Sequence, residues 1–270
     1  MTRIGTTEAH SGDVLRQVIN VITLVIMITV NALANILPIN GQTTAAISDR
    51  FPVYFVPAGY VFSIWGLIYM ALLAFGVYQA LPAQRANPAL RRIGYLFAIS
   101  NLVNSAWIFF WHYELFPLTL LAMVTLFLLL IAIYLRVNGG QTPGTTLARW
   151  VVQVPFSIYL GWITVALIAN VTDVLYYLGW DGWGISGQTW AVIMLGAATL
   201  IAAGMALTRR DVAYLLVILW AFIGILVQQS GAPLVAMAAG IAAGVVALVL
   251  LASLILARPH KPPFQARAAT

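Results

Sequence analysis

Eight long apolar stretches occupy most of this 270-residue chain, and short polar breaks separate them. A hydrocarbon core about 30 Å thick needs about 20 apolar helical residues to cross it. The sequence therefore predicts an all-α integral membrane protein with eight transmembrane helices. The predicted spans lie near residues 17–37, 57–80, 93–113, 116–135, 150–172, 188–208, 212–230 and 232–257.

The composition excludes a water-soluble fold. Hydrophobic residues make up 62% of the chain and charged residues 7%, whereas about 25% of a soluble domain is charged. The absence of cysteine removes disulfides, thiolate nucleophiles and thiolate metal ligands. The lipid bilayer is therefore the first predicted partner, and the net charge of +6 indicates anionic lipid, with no nucleic acid involved.

The basic residues are sorted to one side of the predicted membrane. With a cytoplasmic N-terminus, twelve of the thirteen lie inside and Arg50 alone lies outside, as the positive-inside rule requires. The inner set is Arg3, Arg16, Arg85, Arg91, Arg92, Arg136, Arg149, Arg209, Arg210, Arg258, Lys261 and Arg267. We expect a protein of the bacterial inner (cytoplasmic) membrane with both termini cytoplasmic. One alternative stays open: Ala32-Leu33-Ala34 has the form of a signal-peptidase site, and cleavage there would place the new N-terminus outside.

Polar and aromatic residues recur at helical spacing and share one helix face in three spans. These faces are Phe62, Trp65 and Tyr69; Asn101, Asn104, Trp107 and Trp111; and Pro155, Tyr159, Trp162, Ala166 and Asn170. An amide is costly in hydrocarbon unless it is paired, so these asparagines, with Asn31 and Asn35, should point into the bundle. Aromatic walls with a few hydrogen-bonding groups are typical of a pocket for a flat apolar ligand. The alternative is that the amides only bond neighbouring helices.

Two local features concern packing. Pro155 predicts a kink in the fifth span, because it removes one backbone hydrogen bond. In the last span Ala236, Gly240 and Gly244 repeat every four residues, which lets another helix approach closely. We expect this small-residue face to pack within the chain, and a contact with another subunit is the alternative.

Three segments resemble the signature motifs of one family. Residues 51–69 (FPVYFVPAGYVFSIWGLIY) resemble F-x-P-P-x-W-V-F-x-x-x-W-x-x-L-Y, and residues 104–110 (NSAWIFF) resemble N-x-x-W-S-x-x-F-F. The face from Pro155 to Asn170 resembles P-Y-x-x-W-x-x-F-A-x-x-L-N. In order and placement they are similar to the tryptophan-rich sensory protein family, also called the translocator, TspO/MBR or peripheral benzodiazepine receptor-type family.

The resemblance implies an architecture and a function. It implies a five-helix translocator-type bundle at residues 17–178, and the rest reads as a long form with a three-helix C-terminal extension at 188–257. Cytoplasmic tails are expected at 1–16 and 258–270. The implied function is that of a membrane receptor or carrier for a flat hydrophobic small molecule, with a porphyrin or other tetrapyrrole as ligand, for sensing or passive transport.

The resemblance also implies site residues. The ligand-pocket positions are Trp65, Asn104 and Trp162, and the supporting positions are Trp107, Tyr159 and Asn170. The face in the second span adds Phe62 and Tyr69 to the predicted ligand-binding set. Ala58, Tyr60 and Ile108 stand where the motifs have proline, tryptophan and serine. These departures predict a less aromatic pocket mouth.

Other function classes fit the sequence less well. No cluster of His, Cys or carboxylate is predicted at membrane depth, so no catalytic residue and no metal ligand is assigned, and His112 is expected to be solvated near the outer interface. The acidic residues, Asp173 among them, are expected at span ends or in loops, which disfavours ion-coupled transport. A structural or regulatory subunit of a larger membrane complex is the alternative function, and a homo-oligomer stays open.

Overall fold

Eight long helices account for most of the structure, a computed structural model that describes residues 10–138 and 145–255. No β-strand occurs within these ranges. The long helices are α1 Ser11–Ile36, α2 Ile64–Ala80, α3 Leu96–His112, α4 Phe116–Asn138, α5 Val154–Tyr177, α6 Gly187–Arg209, α7 Val212–Gln228 and α8 Pro233–Ile255. Shorter helical pieces include Thr44–Ser48, Gly59–Ser63, Pro88–Ile93 and a π-helical turn at Arg149–Gln153.

Six helical segments are long and apolar enough to cross a membrane. They are Ser11–Ile36, Gly59–Ala80, Phe116–Val137, Thr146–Tyr177, Gly187–Arg209 and Pro233–Ile255. Helix α7 is apolar but has only 17 residues, and α3 has 17 residues that include two asparagines. Many of the large apolar side chains on the outside of the bundle, such as Leu128, Leu200 and Leu248, are exposed. These faces suit contact with lipid, and the chain is an integral membrane protein.

The first five helices form a ring in which each helix packs against two others, in the spatial order α1, α2, α5, α4, α3 and back to α1. Helix α7 packs on the other side of α5, and α6 and α8 pack against α7 and against each other. Helix α5 is therefore central. In its most apolar stretch 67% of the residues are buried, against 28–39% in the other five candidate spans.

Helices α5 and α7 approach each other closely at Gly161. A methyl group there would lie 3.1 Å from Cβ of Val217 and 3.2 Å from the carbonyl oxygen of Tyr214. Near this crossing, the hydroxyl of Tyr214 donates to Oγ1 of Thr164 at 3.1 Å. The side chain of Asp211 accepts from Ser157 Oγ at 2.6 Å and from Tyr134 OH at 2.8 Å. The C-terminal helices are thus joined to the ring by close packing and by hydrogen bonds.

The two ends of the bundle are defined by contacts of α1 and α3. At one end, here named the inner end, Asp13 pairs with Arg16 and Arg91. At the opposite, outer end, Asn40 donates to the carbonyl oxygen of His112 at 3.0 Å. Helix α3 with its flanking residues therefore spans the same thickness as α1.

Three local predictions differ from the structure. Helix α1 begins at Ser11, six residues before the predicted span, because Asp13 and Arg16 are buried as an ion pair. The fifth span begins at Thr146, before the predicted residue 150, and contains the π-helical turn Arg149–Gln153 shortly before Pro155. The predicted small-residue face of α8 is wrong: Gly244 has no atom within 4 Å of an added methyl group, and the packed face runs one position earlier. That buried face is Val235, Ala239, Ala242, Ala243, Val246 and Leu250.

Candidate ligand-binding site

Helices α2 and α5 bring four aromatic rings together at the centre of the ring of helices. The indole of Trp65 stacks on Tyr69, with ring centroids 5.5 Å apart, and meets Tyr159 and Trp162 edge-on at 6.0 and 6.1 Å. Phe62, on the turn before α2, meets Trp162 edge-on at 5.5 Å. Because these residues recur every three or four positions, helical geometry places them on facing stripes. The result is one continuous aromatic surface.

A chain of hydrogen bonds adjoins this aromatic surface. Asn31 Nδ2 donates to Asn104 Oδ1 at 2.7 Å, and Asn104 Nδ2 donates to the hydroxyl oxygen of Tyr159 at 2.9 Å. The chain links α1, α3 and α5, and all three side chains are at most 4% exposed. The prediction that Asn31, Asn101, Asn104 and Asn170 point inward is confirmed. The same prediction for Asn35 is wrong, because Asn35 is exposed and bonds only the carbonyl oxygen of Asn31 in its own helix.

Two of the predicted residues form a separate cluster toward the outer end. Trp107 Nε1 lies 3.4 Å from Asn170 Oδ1, and Asn170 Nδ2 donates to Thr119 Oγ1 at 2.9 Å. Trp107 stacks on Trp111 with centroids 5.2 Å apart. The structure therefore brings six of the eight predicted residues into one site and places Trp107 and Asn170 beside it, on the same faces of α3 and α5.

One polar atom in the site has no partner. Trp162 is 2% exposed, and its Nε1 makes no hydrogen bond to any described residue. A buried donor without an acceptor costs about 1–3 kcal/mol, and such groups are rare in folded proteins. Among the described residues, the Trp162 N–H is therefore a buried hydrogen-bond donor that stays unpaired beside the aromatic surface.

The site is filled by its own side chains. Asn104, Tyr159 and Trp162 are each at most 3% exposed, whereas Phe62 is 39% exposed and Trp65 and Tyr69 are half-buried. The aromatic surface thus reaches the outside of the bundle along α2.

Comparison with known protein families identifies the family of this chain. The family model described as TSPO-like protein matches residues 17–252. The chain belongs to the TSPO-like protein family. The match extends past residue 178, where the motif resemblance ends, and includes α6, α7 and most of α8. No curated protein and no solved structure matches the chain.

In this TSPO-like protein, helix α7 holds the segment that carries the first motif, a contact that sequence reasoning missed. Trp220 Nε1 donates to the carbonyl oxygen of Val61 at 3.2 Å, and the backbone N–H of Ala58 donates to the carbonyl oxygen of Gly224 at 3.1 Å. Trp220 also meets Tyr60 edge-on at 5.3 Å. Trp220 and Gly224 lie four residues apart, on one face of α7. That spacing is a signal in the sequence, but nothing in it identifies residues 58–61 as the partner.

The outer loop of this TSPO-like protein is fixed by His112, whose predicted solvation is wrong. His112 is fully buried; its Nδ1 lies 3.1 Å from the carbonyl oxygen of Ile39 and its Nε2 lies 3.0 Å from Thr44 Oγ1. Since a carbonyl oxygen only accepts, Nδ1 carries the proton and donates. The loop packs over the outer end of the ring, where Phe51 contacts Trp111 and Phe116.

A charged contact pins the same loop from outside the membrane spans. Glu114 accepts from Gln42 Nε2 at 2.9 Å and pairs with Arg50 at 3.0 Å. The hydrogen bond from Gln42, together with the neighbouring Arg50, lowers the pKa of the Glu114 carboxyl below its ordinary value. Arg50, the basic residue predicted to lie outside, thus has a partner in the loop before α4.

The position of Asp173 also differs from the prediction. It lies inside α5, is 7% exposed, and makes no hydrogen bond or ion pair to a described residue. Asp173 follows Trp162 by eleven residues, which is close to three full turns of an α-helix. Both residues therefore lie on the same face of α5. The sequence predicted Asp173 to lie at the end of a span, outside the protein interior, because the predicted fifth span stopped at residue 172.

The described part of this TSPO-like protein contains no group of three or more His, Cys, Asp or Glu residues that could hold a metal ion. The groups in the site are indole and phenol rings, two amides and one unpaired N–H donor. Such groups can stack against a flat ring system and orient it by hydrogen bonds.

Proposed function

We propose that this TSPO-like protein is a membrane receptor or carrier for a flat hydrophobic ligand, and that the ligand is a tetrapyrrole such as a porphyrin. The observation that carries the proposal is the unpaired N–H of Trp162 beside the aromatic rings of Phe62 and Trp65. A planar macrocycle would stack on the rings, and an acceptor atom on it would take the N–H. Ligand binding at the membrane also accords with membership of the family.

We propose the eight predicted residues as the ligand-binding set: Phe62, Trp65, Tyr69, Asn104, Trp107, Tyr159, Trp162 and Asn170. Phe62, Trp65, Tyr69 and Trp162 would supply the stacking surface. Asn104 and Tyr159 would exchange their mutual hydrogen bond for bonds to polar groups of the ligand. Trp107 and Asn170 would support the site from the outer side, since they bond each other across α3 and α5.

We propose that all eight long helices cross the membrane. The two ends of α3 lie level with the two ends of α1. The ion pair of Asp13 with Arg91 marks the inner end, and the hydrogen bond of Asn40 to His112 marks the outer end. Helix α7 runs from Asp211 at the inner ends of α4 and α5 to Gly224 beside the first motif. An even number of crossings would put both termini on the same side of the membrane. The charge sorting supports the cytoplasmic side of a bacterial inner membrane. Arg3, Arg258, Lys261 and Arg267 lie outside the described residues.

The same proposal divides the chain into a five-helix bundle at 17–178 and a three-helix extension at 188–257. The cytoplasmic tail at 258–270 lies outside the described residues, as do residues 1–9 of the tail at 1–16. The closed ring of α1 to α5 supports the division, since α6 and α8 pack mainly against α7 and against each other.

The test is a titration of the detergent-purified protein with protoporphyrin, followed by tryptophan fluorescence. Trp65→Phe, Asn104→Ala and Trp162→Phe are expected to weaken saturable quenching about tenfold, because each removes a stacking or hydrogen-bonding group. Trp183→Phe is the matched control, since Trp183 is exposed in the turn before α6 and packs only with Trp180 and Trp190 among the described rings. Quenching that is absent, or equal in all four variants, would contradict the proposal.

One observation favours the alternative, a structural or regulatory subunit of a larger membrane complex. The amides of Asn31 and Asn104 are already bonded to each other and to Tyr159, as they would be if they only packed helices together. Purification from native membranes decides between the two. A stable protein partner with no bound small molecule would support the subunit, and a co-purified tetrapyrrole would support the receptor or carrier.

A further inference from the structure

A cavity lies at the inner end of the bundle, away from the aromatic site. Its volume is about 380 Å³, and it lies between the ends of α2, α4 and α5 and the short helix Pro88–Ile93. Tyr78, which lines it, follows Tyr69 by nine residues on α2, a separation of about 13 Å along the helix axis. The volume falls within the range of about 300–1,000 Å³ typical of small-molecule sites.

The lining of this inner cavity is basic and polar over an apolar floor. Arg92 and Arg149 are its charged residues, and no acidic residue lines it. Leu90, Val137 and Val152 are buried beneath them. The two acidic residues that the structure places at this end are engaged elsewhere, Asp13 with Arg16 and Arg91 and Asp211 with Tyr134 and Ser157.

Both arginines have donors to spare. The guanidinium of Arg149 makes no hydrogen bond or ion pair to a described residue, and the side chain is exposed. Arg92 uses only Nε, which donates to the carbonyl oxygen of Arg136 at 3.3 Å, while Arg136 Nη1 donates back to the carbonyl oxygen of Arg92 at 3.0 Å. This reciprocal pair fixes the wall of the cavity and leaves the terminal nitrogens of Arg92 without a described partner.

The backbone at Arg149 is specialised. Residues Arg149–Gln153 form a π-helical turn closed by the N–H of Val154 on the carbonyl oxygen of Arg149. Pro155 follows directly and has no N–H for the regular helical bond. The turn places Arg149, Val152 and Gln153 around the cavity. Such single π-helical turns inside helices recur at functional sites.

We propose that the inner cavity binds the phosphate headgroup of an anionic phospholipid. Guanidinium groups match phosphate oxygens with paired N–H donors. The amide of Asn87, whose Nδ2 donates to Gln84 Oε1 at 2.7 Å, lines the cavity beside them. The apolar floor suits the hydrocarbon of the acyl chains, which a phospholipid has and a free phosphate ion lacks. Basic cavities between helices on the cytoplasmic side are typical sites for acidic lipid headgroups. The site is separate from the tetrapyrrole site and does not rest on it.

The experiment compares lipids and variants in detergent solution. Phosphatidylglycerol, phosphatidylcholine and inorganic phosphate are each added to the purified protein, and binding is measured by thermal stabilisation and by native mass spectrometry. Phosphatidylglycerol is expected to raise the Tm of the wild type, and phosphatidylcholine is not. Arg149→Gln should weaken phosphatidylglycerol binding about fivefold, equivalent to about 1 kcal/mol for one basic residue near the membrane.

Arg209→Gln is the matched control, since Arg209 is an exposed arginine at the C-terminal end of α6 and does not line the cavity. Arg92→Lys keeps the charge but loses the planar fork, so a partial loss is expected. The exposed Arg149 has no described bond, so its variant should fold normally, and an unchanged Tm without lipid checks this. Equal binding of both lipids, an Arg209→Gln effect as large as that of Arg149→Gln, or stabilisation by inorganic phosphate alone would overturn the lipid assignment.

Discussion

The indole N–H of Trp220 in α7 donates to the carbonyl oxygen of Val61, 159 residues earlier in the chain. Val61 belongs to the turn Gly59–Ser63, and its neighbour Phe62 contacts Trp162 in the candidate site. A helix of the C-terminal extension therefore sets the position of a ring in the aromatic surface. We therefore predict that substitutions in α7 affect the candidate site.

The first prediction concerns Gly224, where α7 touches the same turn. An added methyl group would collide with the side chain of Val61 and lie 3.0 Å from Cβ of Pro57. Gly224→Ala should destabilise the protein by about 1–3 kcal/mol, as overpacking does, and should weaken porphyrin binding because the turn must shift. Thermal unfolding and fluorescence titration measure the two effects. Gly244→Ala is the control, since its methyl group would meet no atom within 4 Å; equal effects of both variants would contradict the prediction.

A second prediction concerns the hydrogen bond from Asn104 to Tyr159. A double-mutant cycle with Asn104→Ala and Tyr159→Phe should give a coupling free energy of about 0.6 kcal/mol and no more than about 1.7 kcal/mol, the range found between membrane helices. Unfolding in detergent gives the four free energies that the cycle needs. Asn101→Ala paired with Tyr159→Phe is the control, because Asn101 donates to Thr23 and not to Tyr159. If both cycles gave the same coupling free energy, that energy could not be assigned to the hydrogen bond between Asn104 and Tyr159.

Much of this arrangement could be predicted from local patterns. Hydropathy identified all eight long helices, and helical spacing placed Trp65, Asn104, Tyr159 and Trp162 on inward or facing stripes. Spacing within one helix says which residues share a face, and it is short-range information. The contacts of Trp220 and Gly224 with residues 57–61 join distant segments, so no periodicity within either segment could reveal them.

Other misses have physical causes of the same kind. Hydropathy treats Asp13 and Arg16 as the end of a span, but their charges are buried as a pair, which a scale that scores single residues does not represent. His112 reads as an interfacial residue until the loop from Ile39 to Thr44 folds over it. In α8, alanine and glycine occupy several stripes, so composition could not rank the face of Ala239 above that of Gly240.

A third prediction concerns pH and the outer loop. The pKa of Glu114 is lowered in the folded protein, so its ionised form stabilises the fold. That contribution is fully present above the ordinary carboxyl pKa of about 4.5 and is lost as the pH falls through the lower folded value. Glu114→Gln should therefore lower the Tm at pH 7, and the difference from the wild type should shrink steadily below about pH 4.5. Thermal scans across this range measure it, and a difference that grows on acidification would contradict the assignment.

A fourth prediction concerns the crossings by α3 and α7. The chain has no cysteine, so single cysteines can be introduced at exposed sites and labelled with an impermeant maleimide from outside intact spheroplasts. Tyr113→Cys and Gly231→Cys should be labelled, whereas Ala83→Cys and Thr208→Cys should be labelled only after lysis. If α3 did not cross, residues 83 and 113 would behave alike, and if α7 did not cross, residues 208 and 231 would.

The last prediction concerns whether porphyrin transport by the protein would be passive or coupled to a proton gradient. Asp173 is the one acidic side chain that the structure places within a long helix, buried and without a described partner, and it follows Asn170 by three residues. Buried acids of this kind carry protons in proton-coupled transporters. A binding site made of aromatic rings and amides has no ionisable group of its own, so we expect passive transport. Asp173→Asn keeps the shape and removes the charge, and we expect it to leave stability unchanged or raised, because an unpaired buried carboxylate costs several kcal/mol.

In proteoliposomes, protoporphyrin uptake should be the same with and without a proton gradient in both proteins. Uptake that follows the gradient in the wild type and loses this dependence in Asp173→Asn would make Asp173 a coupling residue and replace passive carriage with proton-coupled transport.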